Sequence, residues 1–469
     1  MAPTEMKKRP DHVKLLSITD RYLVDLECLR EMFATVMPVL REQDKERHKA
    51  VDEILKRAKK FLREKTSEGV EDLSNVPTQA EEDGERNPSG KVVQVKVDIG
   101  DVELLTSSIK KLTRAETLFR KQSIVSLVSR FDEFLGSLLK IALTQNQEWL
   151  KSEKTITYKE LIELKSIDTA IKGLISKEVE KLLRGSHEEQ IAYIDEKLRL
   201  GIREHFLNLP CFLEVAERRN LFVHTGGLVS SQYLERCRGF KCSVAELTEG
   251  HRLEVSEEYF EKAFSIFFEI GLRIGQAAFR RLFPGEAAKA DSALNKLAIK
   301  FLNNGDNELA EVITTYDLNI PAGLRSGDCE NEYYARINRA IAQKRQGKDF
   351  EVGLKGVPWQ AFHSKYKLCL HVLRDEFEQA ASMMASDDII DEVGIEGFRT
   401  WPVFKDFRSS SEFRVAYMNV FNQEYAPDPE RDASSIARQD ADIEPECEVE
   451  LSDEEINDAE GAEDEPARG

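Results

Sequence analysis

Eleven residues in the middle of the chain bring together a base, a fixed cation and an amide: Glu217-Arg218-Arg219-Asn220-Leu221-Phe222-Val223-His224-Thr225-Gly226-Gly227. Asn220 and His224 are four apart and share one face of a helix, with Glu217 one turn earlier on the same stripe. Arg219 and His224 are five apart, about 140° around the axis, so only arginine's long side chain can bring its guanidinium round toward the imidazole. Histidine titrates near neutrality and can take a proton from a hydroxyl or give one to a leaving oxygen. A guanidinium can hold a phosphate bidentately and offset the charge that builds up in the transition state. An amide on the histidine face can orient the imidazole or a phosphate oxygen. Together these are the ingredients of phosphodiester cleavage without a metal.

The surrounding residues place the set in the last turns of a helix. Phe212, Leu213, Val215, Ala216, Leu221, Phe222 and Val223 supply apolar positions, Pro210 stands where a new helix can start, and Gly226-Gly227 supplies the stop. Arg219-Asn220-Leu221-Phe222-Val223-His224 resembles the Arg-x4-His motif of the HEPN superfamily of helical ribonucleases, in which Asn most commonly follows the Arg. None of the other seven histidines has an arginine five residues before it. Phe131-Asp132-Glu133-Phe134-Leu135 resembles the first helix of HEPN domains, where an acidic residue at the Asp132 position faces the active-site region. The resemblance implies a metal-independent endoribonuclease of toxin or anti-phage defence type. It also implies a two-fold homodimer that brings Arg219 and His224 of both chains into one cleft. In that setting Asp132 and Glu217 are candidates to position Arg219 or His224, and Arg218, Arg236, Arg238 and Lys241 are candidates to carry the RNA backbone.

The elements that must hold this site read as all-α. Leu23, Leu26, Leu29, Met32, Phe33 and Val36 recur at helical spacing, and Pro38 predicts a kink or break before a second helix with Val51, Ile54, Leu55, Ala58 and Leu62. These form an N-terminal helical region, 1–65. Residues 66–98 have linker composition, with a brief alternation over Lys91–Val97. From 99 to 284 the pattern predicts a HEPN-like bundle of about five helices, with the motif helix next to last. Ile124, Leu127, Val128, Phe131, Leu135, Leu138 and Ala142 define its first stripe, and Asp132 on the shoulder of that stripe needs a partner. Thr157–Leu183 is predicted helical. Ser186-His187-Glu188-Glu189 is a capping start, so His187 reads as part of a helix beginning rather than a ligand. His205 reads as surface, and Val255–Phe283 as a long closing helix. Between 285 and 426 helices recur at roughly 35 residues, a loose tetratricopeptide-like period. Turns are expected at Asn304-Gly305-Asp306, Arg345-Gln346-Gly347-Lys348 and Leu373-Arg374-Asp375. Trp359, Trp401, Phe404 and Phe407 read as core anchors, and His363 and His371 as structural.

The formal charge is −19, but fourteen carboxylates and one arginine from Asp440 onward supply −13 of it. Residues 427–469 therefore read as an acidic tail without a core. Seven cysteines without a framework, and no secretory signal, predict reduced thiols and a cytoplasmic location. Cys237, Cys242 and His251 lack a fourth ligand, so no metal is expected. No cofactor is expected, because no Gly-rich phosphate loop or Walker-type lysine occurs. The expected partners are RNA, a second copy of the chain, and a protein on the helical-repeat region; no membrane span and no signal for DNA is present. Two other readings use the same residues: a catalytically silent HEPN-like dimerisation or binding module, and a helical-repeat scaffold in which Arg219 and His224 only cap and pack.

Overall fold

The computed structural model describes residues 10–67, 99–150, 166–242, 244, 246–359 and 363–426. The expectations for the 68–98 segment, including the alternation over Lys91–Val97, for Thr157–Lys165 and for the acidic tail lie outside these residues. The described residues are helical, and their one β feature is an isolated antiparallel bridge between Leu228 and Arg252. They fall into two compact units, divided between Ala290 and Asp291, with Gly323–Ser326 belonging to the first.

The first unit is built on two very long helices. Helix α1 runs over Asp11–Ser67 and α2 over Ile99–Gln145. The break expected at Pro38 does not occur. Pro38 is exposed, so the Ala34 carbonyl that loses its amide donor can turn to water, while Phe33 and Met37 bury on the inner face and hold the helix across it. The inner stripe of α1 is Leu15, Thr19, Tyr22, Leu23, Leu26, Phe33 and Met37; Met32 faces out. Nor does α1 stand apart from the bundle. It packs along α2 and along the closing helix of the unit, Glu257–Leu282. Between them come α3 (Ile167–Leu183), α4 (His187–Leu198), a single turn α5 (Ile202–His205), the motif helix α6 (Leu209–His224) and α7 (Ser231–Gly239), which makes the closing helix α8.

Helix α8 supplies the middle of the core. Phe260, Phe264, Phe267, Phe268 and Phe279 are all fully buried, each worth about 1.5–3 kcal/mol relative to exposure. The approach of α1 to α8 is set by two glycines one turn apart. A Cβ on Gly271 would stand 2.0 Å from the Tyr22 ring, and one on Gly275 would stand 2.5 Å from Thr19. With no side chain there, the Tyr22 hydroxyl reaches the α8 backbone and donates to the Phe267 carbonyl at 2.8 Å. Phe33 stacks on Phe260 at 3.9 Å between centroids, and Arg30 pairs with Glu261 at 2.7 Å while lying over Phe264.

The second unit contains α9 (Ala287–Asn304) from Asp291 onward, α10 (Asn307–Leu318), α11 (Cys329–Arg345) and α12 (Ser364–Leu373). Four shorter helices follow: α13 (Phe377–Met383), α14 (Asp387–Glu392), α15 (Gly394–Thr400) and α16 (Ser411–Phe421). The three turns read from the sequence are present with one geometry. Gly305, Gly347 and Asp375 each take a left-handed backbone. The next amides, of Asp306, Lys348 and Glu376, each donate 2.9 Å back to the carbonyls of Phe301, Gln343 and His371, closing a Schellman motif. Trp359, Phe404 and Phe407 are buried. His363 and His371 each pair with a carboxylate, Glu392 and Glu376, at 2.5 Å.

The glycine crossing gives a direct stability prediction. Gly271→Ala and Gly275→Ala should each cost about 1–3 kcal/mol despite alanine's better helix propensity, because methyl groups would enter occupied space. Gly173→Ala, on exposed helix surface with nothing within 4 Å, should instead gain about 0.5–1 kcal/mol. Urea unfolding of the three variants checks both signs.

Candidate active site

Helix α6 carries the motif because one side of it is strongly apolar. Phe212, Leu213, Val215, Ala216, Leu221 and Phe222 are buried. Arg219 and Asn220 are half-buried, and Val223, His224 and Thr225 are exposed at the carboxyl end. The helix stops where the sequence predicts. Gly226 and Gly227 have φ of 64° and 94°, and the Gly227 amide returns to the Leu221 carbonyl at 3.0 Å. A short pairing then fixes this end to the chain ahead of α8: the Leu253 amide donates to Gly227 at 2.8 Å, and Val229 donates to His251 at 2.8 Å.

Arg219 donates from Nη1 to the Asn220 side-chain oxygen at 3.1 Å. Its Nε is buried without a hydrogen-bond partner. Asn220 thus holds the guanidinium beside it, and its own NH2 group stays free of that bond. Two further cations stand at the same helix end. Lys121 Nζ donates to the Gly226 carbonyl at 2.8 Å and lies over the Phe222 ring, and Arg252 Nη1 donates to the same carbonyl at 3.1 Å. Burial and the neighbouring Arg252 lower the Lys121 ammonium from its ordinary value, against the opposing pull of Glu254. Cations at a helix carboxyl end are favoured by the macrodipole. Sequence reasoning missed both. Lys121 lies just outside the 123–142 stripe, and Arg252 sits in a connection with no local pattern.

The carboxylates expected to support the motif are engaged elsewhere. Glu217 makes a two-oxygen ion pair with Arg236, at 2.9 and 3.0 Å. Asp132 does have the partner its position demands, but the partner is His187, with Nε2 to Oδ1 at 3.0 Å. His187 begins α4 under the Ser186–Glu189 capping box as expected, and in addition turns its ring into a pocket beside Phe131 and Phe212. The two readings of His187, helix start and partner of a carboxylate, are compatible because its backbone does one and its ring the other.

Of the basic side chains expected to meet RNA, Arg238 and Lys241 are exposed at the end of α7. Arg236 holds Glu217. Arg218 is locked into a polar cluster centred on Glu214: Arg218 Nε donates to Glu214 at 2.7 Å, Tyr233 and Tyr259 hydroxyls donate to its two oxygens at 2.6 and 2.8 Å, and the guanidinium lies 4.0 Å over the Tyr259 ring. Burial works against the Arg218 charge, but Tyr259 and Glu214 outweigh it and raise the group above its ordinary value. Burial and Glu214 likewise hold both tyrosines protonated. Arg218 is therefore a structural cation.

The two cysteines of α7's end flank the same cluster. Cys242 donates from sulfur to the Pro210 carbonyl at 3.0 Å. Burial, then the neighbouring thiol, pushes Cys237 up to about 12; burial, then Glu214, pushes Cys242 up to about 11. Among the described residues no group of three or more His, Cys, Asp or Glu is placed to hold a metal ion, and no helix is long and apolar enough to cross a membrane. No family model matches this chain, and neither the curated proteins nor the solved structures include a significant match to it.

Two outcomes follow from this arrangement. Glu214→Ala strands a buried guanidinium and should destabilise the chain by about 3–5 kcal/mol, whereas Arg236→Ala, at an exposed pair, should cost less than about 1 kcal/mol; thermal unfolding separates them. Raised thiol values leave little thiolate at pH 8, so iodoacetamide with peptide mapping should label the exposed Cys28 and Cys329 and spare Cys237 and Cys242. Labelling of that pair should grow as pH rises toward 11–12 or when the chain is unfolded.

Proposed function

We propose that this chain is a HEPN-type endoribonuclease that cleaves RNA by attack of a 2′-hydroxyl on the adjacent phosphate. The observation that carries the proposal is the state of the motif's end. His224 is exposed at the end of a helix whose other side is buried, with the half-buried Arg219 tethered to Asn220 and cations from α2 and the 250–253 segment gathered on the Gly226 carbonyl.

In this reading His224 exchanges the proton, taking it from the 2′-hydroxyl or giving it to the departing 5′-oxygen. Arg219 grips the phosphate through the NH2 groups of its guanidinium as charge accumulates on the equatorial oxygens. The NH2 group of Asn220 can meet a phosphate oxygen while its carbonyl keeps Arg219 in place. Lys121 and Arg252 add local positive potential, and Arg238 and Lys241 extend it along the RNA backbone. One histidine and one arginine are few groups for the whole reaction, so a second copy supplies the other pair across a two-fold axis. Exposed apolar side chains support such a face: Val223 on the motif helix, Leu228 just after it, and Leu118 one helical turn before Lys121. A toxin or defence role is the setting in which such an activity is useful to a cell.

The engagement of Glu217 by Arg236 and of Asp132 by His187 favours a second reading, a HEPN-like module that dimerises without cleaving. Incubation of the purified chain with mixed RNA in EDTA separates the two. Cleavage to fragments with 2′,3′-cyclic phosphate ends is expected, reduced about 10²–10⁴-fold in Arg219→Ala and in His224→Ala. Cleavage unchanged in both variants, or none in a chain that light scattering shows to be dimeric, sinks the nuclease reading.

A further inference from the structure

The second unit holds a cavity of about 250 Å³ lined mostly by apolar and aromatic side chains, with Asn295, Asn338 and Lys365 set among them. Tyr334, Tyr366 and Trp401 give it aromatic walls. Asn295 and Asn338 face each other in it, with the Asn338 amide donating to the Asn295 oxygen at 2.9 Å. Lys365 also lines it, its ammonium within 5.1–5.5 Å of the Tyr366 and Tyr334 ring centres and 3.3 Å from Glu330.

Each of these features restricts what can bind. A head-to-tail pair of amides uses one NH2 and one carbonyl, and leaves one amide oxygen and one NH2 group with capacity to spare, whichever way the two are turned. Asn338 is only 7% exposed, so a ligand that meets its spare capacity does so in a largely desolvated setting, where a hydrogen bond is stronger than in water. A ligand that offers a donor and an acceptor side by side satisfies both amides at once. The edges of nucleobases carry this pattern, and asparagine is a common reader of it. Aromatic walls stack the faces of the same kind of ring, worth about 1–3 kcal/mol per base. Lys365 is already offset by Glu330, so the cavity offers no uncompensated positive charge for a phosphate. Its volume lies below the roughly 300–1,000 Å³ of sites for drug-sized ligands, enough for one ring system with a sugar.

The walls are also fixed before any ligand arrives. Arg345 donates to the Leu302 and Pro402 carbonyls, both at 2.7 Å. Arg408 donates to the Phe398 and Trp401 carbonyls at 3.0 and 3.1 Å. The segment that carries Trp401 is thereby clamped on both sides of the indole, which lowers the ordering cost of binding.

We propose that this cavity binds an uncharged purine, as the base or its nucleoside, with its hydrogen-bonding edge on Asn295 and Asn338 and its rings against Trp401 and the two tyrosines. The site involves none of the residues assigned to RNA cleavage, so it stands or falls separately from that activity.

Isothermal titration of the full chain with adenosine, guanosine, uridine and adenosine monophosphate tests it, with tryptophan fluorescence as a second readout. Saturable one-to-one binding of a purine nucleoside is expected, with quenching that disappears in Trp401→Phe. Asn338→Leu and the half-exposed Asn295→Ala should each weaken binding at least tenfold, while Asn295→Ala without ligand still unfolds cooperatively, at a slightly lower temperature because the Asn338 amide loses its acceptor. If Asn338→Leu does not fold, Asn295→Ala decides. No saturable binding of either purine nucleoside, equal binding of uridine, tighter binding of the monophosphate than of adenosine, or unchanged affinity in Asn295→Ala overturns the proposal.

Discussion

The first unit depends on how closely α1 can lie on α8. Only the missing side chains of Gly271 and Gly275 let the two backbones come within reach of the Tyr22 hydroxyl, whose bond to the Phe267 carbonyl ties them. Burial, reinforced by the charge of Asp132, keeps that phenol well above its ordinary value, so it remains a donor across any physiological pH. The Tyr22 ring then stacks on Phe134 at 4.6 Å and meets Phe131 edge-on. Phe131 in turn contacts Phe212 of the motif helix at 4.9 Å and Phe267 at 5.7 Å. The orientation of α6 is thus set by rings from α1, α2 and α8. A change at the glycines propagates to the motif through packed aromatics rather than through any polar link.

Within α6 the same sequence serves two purposes in succession. The turn around Glu214 and Arg218 is sealed by tyrosines, and its charges are held by one another. At the carboxyl end Val223, His224 and Thr225 open to solvent, with Arg219 and Asn220 half-buried behind them. A buried ion pair contributes little net stability but fixes geometry when every partner is satisfied. Here it fixes the roll of the helix, which decides that Arg219, Asn220 and His224 come out on one end while Phe212 and Leu213 go in.

What was legible in the sequence is what is decided locally. Helix stops at Gly226-Gly227, Gly305, Gly347 and Asp375, and the cap at Ser186, each depend on a few neighbouring residues, and the backbone adopts them where those residues stand. The long-range pairings were not legible. Asp132 plainly needed a partner, but His187 lies on another helix and looked fully explained as a helix start. Glu217 stood on the right stripe to serve His224, yet Arg236 on α7 claims it. Lys121 and Arg252 converge on Gly226 from either side of the motif in the chain, and no spacing rule relates them. Pro38 shows the opposite failure. A strong local rule gave way because the lost hydrogen bond falls on the solvent side of a helix already pinned by Phe33 and Met37.

Charge poses the last physical question, since an acidic chain is a poor attractor of RNA. The formal −19 is dominated by residues beyond Asp440. At physiological ionic strength a charge is felt over about 8 Å, so the balance that matters to a phosphate is the one within a helix diameter of it. At the end of α6 Arg219, Lys121 and Arg252 stand against Glu254, and the nearest carboxylate on the helix, Glu217, is neutralised by Arg236. The Glu217–Arg236 ion pair therefore has an electrostatic consequence of its own. By cancelling the one acid on the motif's face, it keeps the local field favourable to an anion.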